Sequence, residues 1–160
     1  MKVLVFIFAI ATIACSKDRT VVPAPNNLFE ADFTLGAETF KWKLSDAAFF
    51  KRSLPNDSAI TIVAGVGNRH VSIGIHNITT SGSYQFGPYT STAPQKIIIA
   101  QFAKDVSGLS GVYYTSTMDS LSGNISFQLT QDKIVGTFNV TCRRGSDLVI
   151  IKNGSFSGAF

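Results

Sequence analysis

Few residues in this chain could do chemistry, and their spacing limits what that chemistry is. Glu occurs at positions 30 and 38 alone. Glu30 and Asp32 are two apart, so on an extended strand both carboxylates point to one face, as acid–base work on a sugar would need. Lys41 and Lys43 sit where a short hairpin brings them opposite, and cross-strand ion pairs on a solvated face account for the acids more simply. His70 and His76 are the only histidines; six residues of extended chain separate them by about 20 Å, too far to share a metal ion. The two cysteines, Cys15 and Cys142, make no zinc site, and neither a Gly-rich phosphate loop nor a nucleophile elbow followed by an acid and a histidine is present. The expectation is a protein without catalysis, metal or cofactor. Aromatic rings are the better candidates for contact. Tyr84 and Phe86 alternate around Gln85 as an inward face would, and Trp42 faces Ala31 inside, which leaves Tyr89 and the outward member of the pair Tyr113 and Tyr114 to stack on a sugar or peptide.

The first residues carry a different signal. Met1-Lys2 followed by the apolar stretch Val3 to Ala14 has the anatomy of a secretory signal peptide, and the stretch is too short to span a bilayer. Thr12-Ile13-Ala14-Cys15 resembles the lipobox of bacterial lipoproteins, with Thr where Leu is usual. The resemblance implies cleavage before Cys15, a lipidated N-terminus and palmitate among its acyl chains. More than one chain makes anchoring lasting, at about 0.8 kcal/mol per buried methylene. Residues 16–28, with two prolines and no sustained period, read as a flexible tether.

Removing Lys2 with the signal segment leaves thirteen of the 14 basic residues against 10 acidic ones. They are spread along the chain, and Arg143-Arg144 is the single adjacent pair, so no stripe suited to a row of phosphates exists and nucleic acid is not an expected partner. If Cys15 is lipidated, Cys142 is left as a lone thiol. It continues the alternating face Ile134, Gly136, Phe138 and Val140, which places it in the core.

The positioning elements are strands. From Phe29 onward the dominant period is two, and no window carries a helical stripe over three turns. One hairpin turns at Gly36-Ala37, a type II′ turn with Gly first, and sets Phe33 opposite Phe40, Ala31 opposite Trp42, Asp32 opposite Lys41 and Glu30 opposite Lys43. A second turns at Asn68-Arg69 and sets Ile62, Ala64 and Val66 against Ile75, Ile73 and Val71. A third turns at Gln131-Asp132 and sets Ile125, Phe127 and Leu129 against Phe138, Gly136 and Ile134, the Phe127 ring covering bare backbone at Gly136. Further strands are expected at residues 84–86, 97–102, 112–117, 148–151 and 155–160, with a five-residue loop at 143–147. About eight to ten short antiparallel strands in one domain over residues 29–160 fit either a β-sandwich or a partly open β-barrel.

Ser122-Gly123-Asn124-Ile125-Ser126-Phe127, Ile134-Val135-Gly136-Thr137-Phe138 and Ile150-Ile151-Lys152-Asn153-Gly154-Ser155-Phe156 resemble the closing pattern of a family of uncharacterised Bacteroidota lipoproteins. Phe29-x-Ala31, Trp42 and Gly82-x-Tyr84 are similar too, so the likeness covers roughly residues 29–160. That family implies no functional residue. Asp57-Ser58-Ala59 and Asp119-Ser120-Leu121, each in an expected loop, resemble the O-glycosylation acceptor of Bacteroidota envelope proteins. The combined expectation is a lipid-anchored outer-membrane lipoprotein, on the periplasmic side, that binds or assembles with an envelope protein or glycan. The alternative is a small-ligand or glycan carrier with a lipocalin-like barrel. An apolar cavity favours the carrier, and a filled core with exposed rings favours the module.

Overall fold

The computed structural model describes residues 27–54, 57–88, 96–107, 110–116 and 122–160. The signal segment, Cys15 and the tether as far as residue 26 lie outside them. The described chain is all-β: β1 (Leu28–Leu35), β2 (Glu38–Leu44), β3 (Ala48–Leu54), β4 (Asp57–Val66), β5 (Arg69–His76), β6 (Gly82–Gln85), β7 (Gly87–Pro88), β8 (Ile97–Ser107), β9 (Ser110–Ser116), β10 (Gly123–Leu129), β11 (Lys133–Arg144) and β12 (Asp147–Ala159). Every ladder among them is antiparallel, and the main sheet runs β2-β1-β12-β11-β9-β8-β5-β4-β3, with β10 and β6 continuing from β11 and β7 from β8. One edge of β11 pairs first with β10 and then, at Cys142 and Arg143, with β9, so the sheet bends at this strand.

Alternation puts Phe29, Ala31 and Phe33 of β1, Val71, Ile73 and Ile75 of β5 and Ile134, Phe138, Val140 and Cys142 of β11 on the inner face, all buried. The sheet curls until its two halves pack on each other. Phe33 and Trp42 of the first half lie 5.7 and 6.2 Å from the Phe102 ring of the second, and Phe33 stacks on Phe40 at 4.9 Å. At the other end Phe49 of β3 meets Phe156 of β12 at 6.5 Å. Each fully buried Phe or Ile contributes roughly 1.5–3 kcal/mol by leaving water, so the interior rings hold the curl closed.

The first and third hairpins have the expected registers, and Gly36, at φ 60°, opens the first turn. The second differs. Val66 pairs with Arg69, the turn falls at Gly67-Asn68, and Ile62 meets Ile73 while Ala64 meets Val71. Because the slip is two residues, Ile62, Ala64, Val71, Ile73 and Ile75 still face inward, while Val66, expected opposite Val71, lies exposed beside the turn. Glu30 sits opposite Lys43 as expected, but its ion pair runs diagonally to Lys41 at 2.7 Å. Residues 148–151 and 155–160 are one strand, β12, with a bulge at Lys152-Asn153 that shifts the inward phase from Val149 and Ile151 to Gly154 and Phe156. The five-residue loop is a two-residue turn at Gly145-Ser146. Strand β3 was not expected from the sequence, and the tether ends earlier than residue 28: Leu28 already lies in β1, and Asn27 accepts hydrogen bonds from Ala47 N at 3.1 Å and Ala159 N at 3.1 Å.

Candidate functional site

Tyr113 and Tyr114 are neighbours on β9 and point opposite ways. Tyr113 is exposed and edges against His70 at 6.5 Å, whereas Tyr114 is buried beside Phe102, so the pair offers one ring for contact. Tyr114 is therefore a core residue and not a contact residue. Tyr84 stacks on Phe127 at 5.2 Å and its hydroxyl donates to Thr80 O at 2.8 Å, a structural role. Tyr89, Ser120 and Cys15 lie outside the described residues. Ser58 is not in a loop. It is half-buried in β4, where its backbone exchanges hydrogen bonds with Asn77 at 2.8 and 3.0 Å, so the position is on a strand beside the groove of β3 and β4 and not on a loop.

The acidic residues that sequence spacing brought forward are held in ion pairs with basic side chains, away from the buried Cys142. Lys41 bridges Glu30 at 2.7 Å and Asp32 at 3.8 Å on the outer face, and the Lys41 hydrogen bond holds the Glu30 carboxyl below its usual value. Glu38 is paired with Arg69, at 2.7 and 3.1 Å, which likewise lowers its carboxyl. Cys142 is fully buried, and loss of solvent pushes its thiol up to about 12, so it is no nucleophile. Among the described residues no group of three or more His, Cys, Asp and Glu is placed to hold a metal ion.

Described residues also line surface grooves, of which three bear on function. One of about 370 Å³ runs between β3, β4 and the β10–β11 turn, floored by Ile60, Ile75 and Ile78, and Lys51 spans it to donate to Gln131 O at 2.7 Å. A second, of about 520 Å³, opens beside Leu35, Lys104, Asp147 and Leu148. The third, of about 250 Å³, lies on the outer face of β4, β5 and β8 between Thr61, Ser72, Gly74, His76, Ile99 and Gln101. Its side chains come from three strands, and no motif in the sequence joins them. The available signal was the run of small and neutral polar residues at outward positions, where β1 and β2 carry charges. Phe50, 60% exposed and likewise outward, stands beside Thr61 in the same cross-strand row. Nothing in the sequence marked it, because β3 itself was not legible.

Comparison with protein-family models, with curated proteins and with solved structures finds no match for this chain.

Proposed function

We propose that this chain is a lipid-anchored envelope lipoprotein of the Bacteroidota type whose β-domain is a non-catalytic binding or assembly module, held on the periplasmic side of the outer membrane through Cys15. The observation that carries the binding part is the contrast between inside and outside. The inner face is filled by Phe33, Trp42, Phe102, Tyr114 and their neighbours, while Phe50 and Tyr113 stand exposed on the outer face of one layer. A filled interior supports recognition at the surface over carriage inside a barrel. The anchor rests on the lipobox-like Thr12-Ile13-Ala14-Cys15 and the short apolar segment before it.

Fractionation with mass spectrometry tests the anchor. The wild-type chain is expected in the outer-membrane fraction with an acylated Cys15, and Cys15→Ser is expected to lose both the acyl mass and the membrane. Retention of Cys15→Ser in the membrane at unchanged mass overturns the anchor. Affinity capture of the anchored chain from its envelope tests the module, with proteins and glycans of the eluate both identified. Recovery of neither overturns it.

A further inference from the structure

The groove on the outer face of β4, β5 and β8 has a composition that selects a ligand class. On β5, Val71, Ile73 and Ile75 enter the core, so Ser72, Gly74 and His76 stand outward. Register aligns Phe50, Thr61, Gly74 and Ile99 in one cross-strand row and Val63, Ser72, Gln101 and Thr115 in the next. At Gly74 no side chain stands on the groove floor and the His76 ring folds back over it, so that a Cβ there would come within 2.9 Å of its Nε2.

Two hydroxyls, an amide and an imidazole line this groove, and no Asp, Glu, Lys or Arg does. None of the side chains of Thr61, Ser72, His76 and Gln101 hydrogen-bonds to another described residue. The lining offers an anion no Lys or Arg and no free backbone N–H, and a cation no carboxylate; Arg52, two strands from His76 in the row of Ala59, is outside the lining and has an interaction of its own. An apolar ligand would strip water from all four polar groups without replacing its hydrogen bonds. A neutral polyol satisfies each of them, and the C–H face of a sugar ring can lie on an exposed aromatic ring. Phe50, the most exposed large apolar residue described, is two strand spacings, roughly 10 Å, from Gly74. Tyr113 lies two strands beyond β5 in the other direction, in the row of Ala103 and His70, four residues (roughly 13 Å) along the strands from Gly74, so the two rings flank the groove on a diagonal.

We infer that this face binds a neutral saccharide chain, laid diagonally across the strands from Phe50 past Gly74 and Ser72 toward Tyr113. The inference rests on the proposal of a surface-binding module and names the ligand class of that module.

The test is amide NMR on the ¹⁵N-labelled chain from residue 15 onward in detergent micelles. The probes are neutral oligosaccharides, namely α- and β-linked glucan, mannan and galactan hexamers, with an oligogalacturonate as the anionic control. At least one neutral probe is expected to shift the amides of Ser72, Gly74, His76 and Gln101. Phe50→Ala is expected to weaken that probe about three- to tenfold, the range of one ring contact. Gly74→Val fills the groove at a solvent-facing strand position that favours a β-branched residue, and is expected to abolish binding while the thermal midpoint holds or rises. No shift with any neutral probe, shifts with the anionic control alone, or binding that survives Gly74→Val overturns the saccharide site. A protein captured from the envelope and lost with Phe50→Ala, with no neutral probe binding, overturns the ligand class and keeps the module. Recovery of neither overturns both.

Discussion

The ring of Phe49 on β3 occupies the space that a side chain at Gly158 on β12 would need: a Cβ built there would collide with the ring more closely than real Cβ atoms approach any neighbour. β3 is the last strand of the sheet order and β12 the third from its other end, so this contact is where the curl folds the β3 edge onto the opposite half of the sheet. Gly158→Ala should therefore cost about 1–3 kcal/mol, the usual price of overpacking a core. Phe49→Ala, which leaves a void between β3 and β12, should cost about 3–5 kcal/mol. Urea unfolding of both variants checks this, and a Gly158→Ala chain as stable as wild type would mean that β3 does not pack on β12.

A second seam joins β5 to β2. Arg69 makes two hydrogen bonds to Glu38 and also lies over the Phe40 ring, 4.9 Å from its centroid. Arg69→Ala removes both contacts and Glu38→Gln removes the charge alone, so Arg69→Ala should lower the thermal midpoint further. Added salt should narrow the gap between wild type and Glu38→Gln, because an exposed pair is screened. It should leave most of the Arg69→Ala deficit in place.

The same pairs set the acid limb of stability. Glu38 is lowered first by its Arg69 hydrogen bond, and Glu30 first by its Lys41 hydrogen bond. A carboxyl depressed in the fold stabilises the native state above its unfolded value of 4.5 and stops doing so as pH falls through the depressed value. Thermal midpoints should be level from neutrality down to the ordinary carboxylate range and then decline. Lys41→Gln should flatten the Glu30 part of that decline; an unchanged acid limb in this variant would remove Lys41 as its source.

The bulge in β12 makes a fourth prediction. Asn153 has φ 52°, its N–H donates to Asn139 Oδ1 at 2.9 Å, and its amide donates to Asp32 Oδ2 at 2.8 Å. Asn tolerates this left-handed conformation, and a β-branched residue does not. Asn153→Gly should be nearly neutral, whereas Asn153→Val should cost about 1–3 kcal/mol. Equal losses would place the value of Asn153 in its side-chain bonds instead of its backbone angle.

These features also show what the sequence made legible. Hairpins with alternation on both strands and a short turn were readable to the residue, because Asp32 opposite Lys41 and Phe127 opposite Gly136 each fix a register. The β4–β5 register was not, since a slip of two residues keeps Ile62, Ala64 and Val71 inward, and a glycine at φ 60° then decides for Gly67-Asn68. Asn153-Gly154 read as a break because a bulge changes the phase of an alternating strand without ending it. Strand β3 was hidden by Phe49-Phe50, two adjacent rings that face opposite ways. The groove at Gly74 was out of reach for a different reason. Its character comes from the absence of charge across three strands, which only the register assembles.

Cys142 supplies the last prediction. Its side chain is inaccessible, its Sγ lies 3.6 Å from Ala100 O, and burial raises its thiol from 9.0 to about 12. In the folded chain at neutral pH it is a thiol, and a thiolate reagent such as Ellman's should label it only at the rate of unfolding. The linkage runs opposite to that of the glutamates. Between about 9 and about 12 the unfolded chain loses the Cys142 proton and the folded chain keeps it, so stability is intact below about pH 9 and falls as pH rises above it. Cys142→Ala should remove that alkaline decline while leaving a small cavity at β11. Rapid labelling of the native protein at pH 7, at a rate that denaturant does not change, would show that the corner where β11 passes from β10 to β9 opens without unfolding.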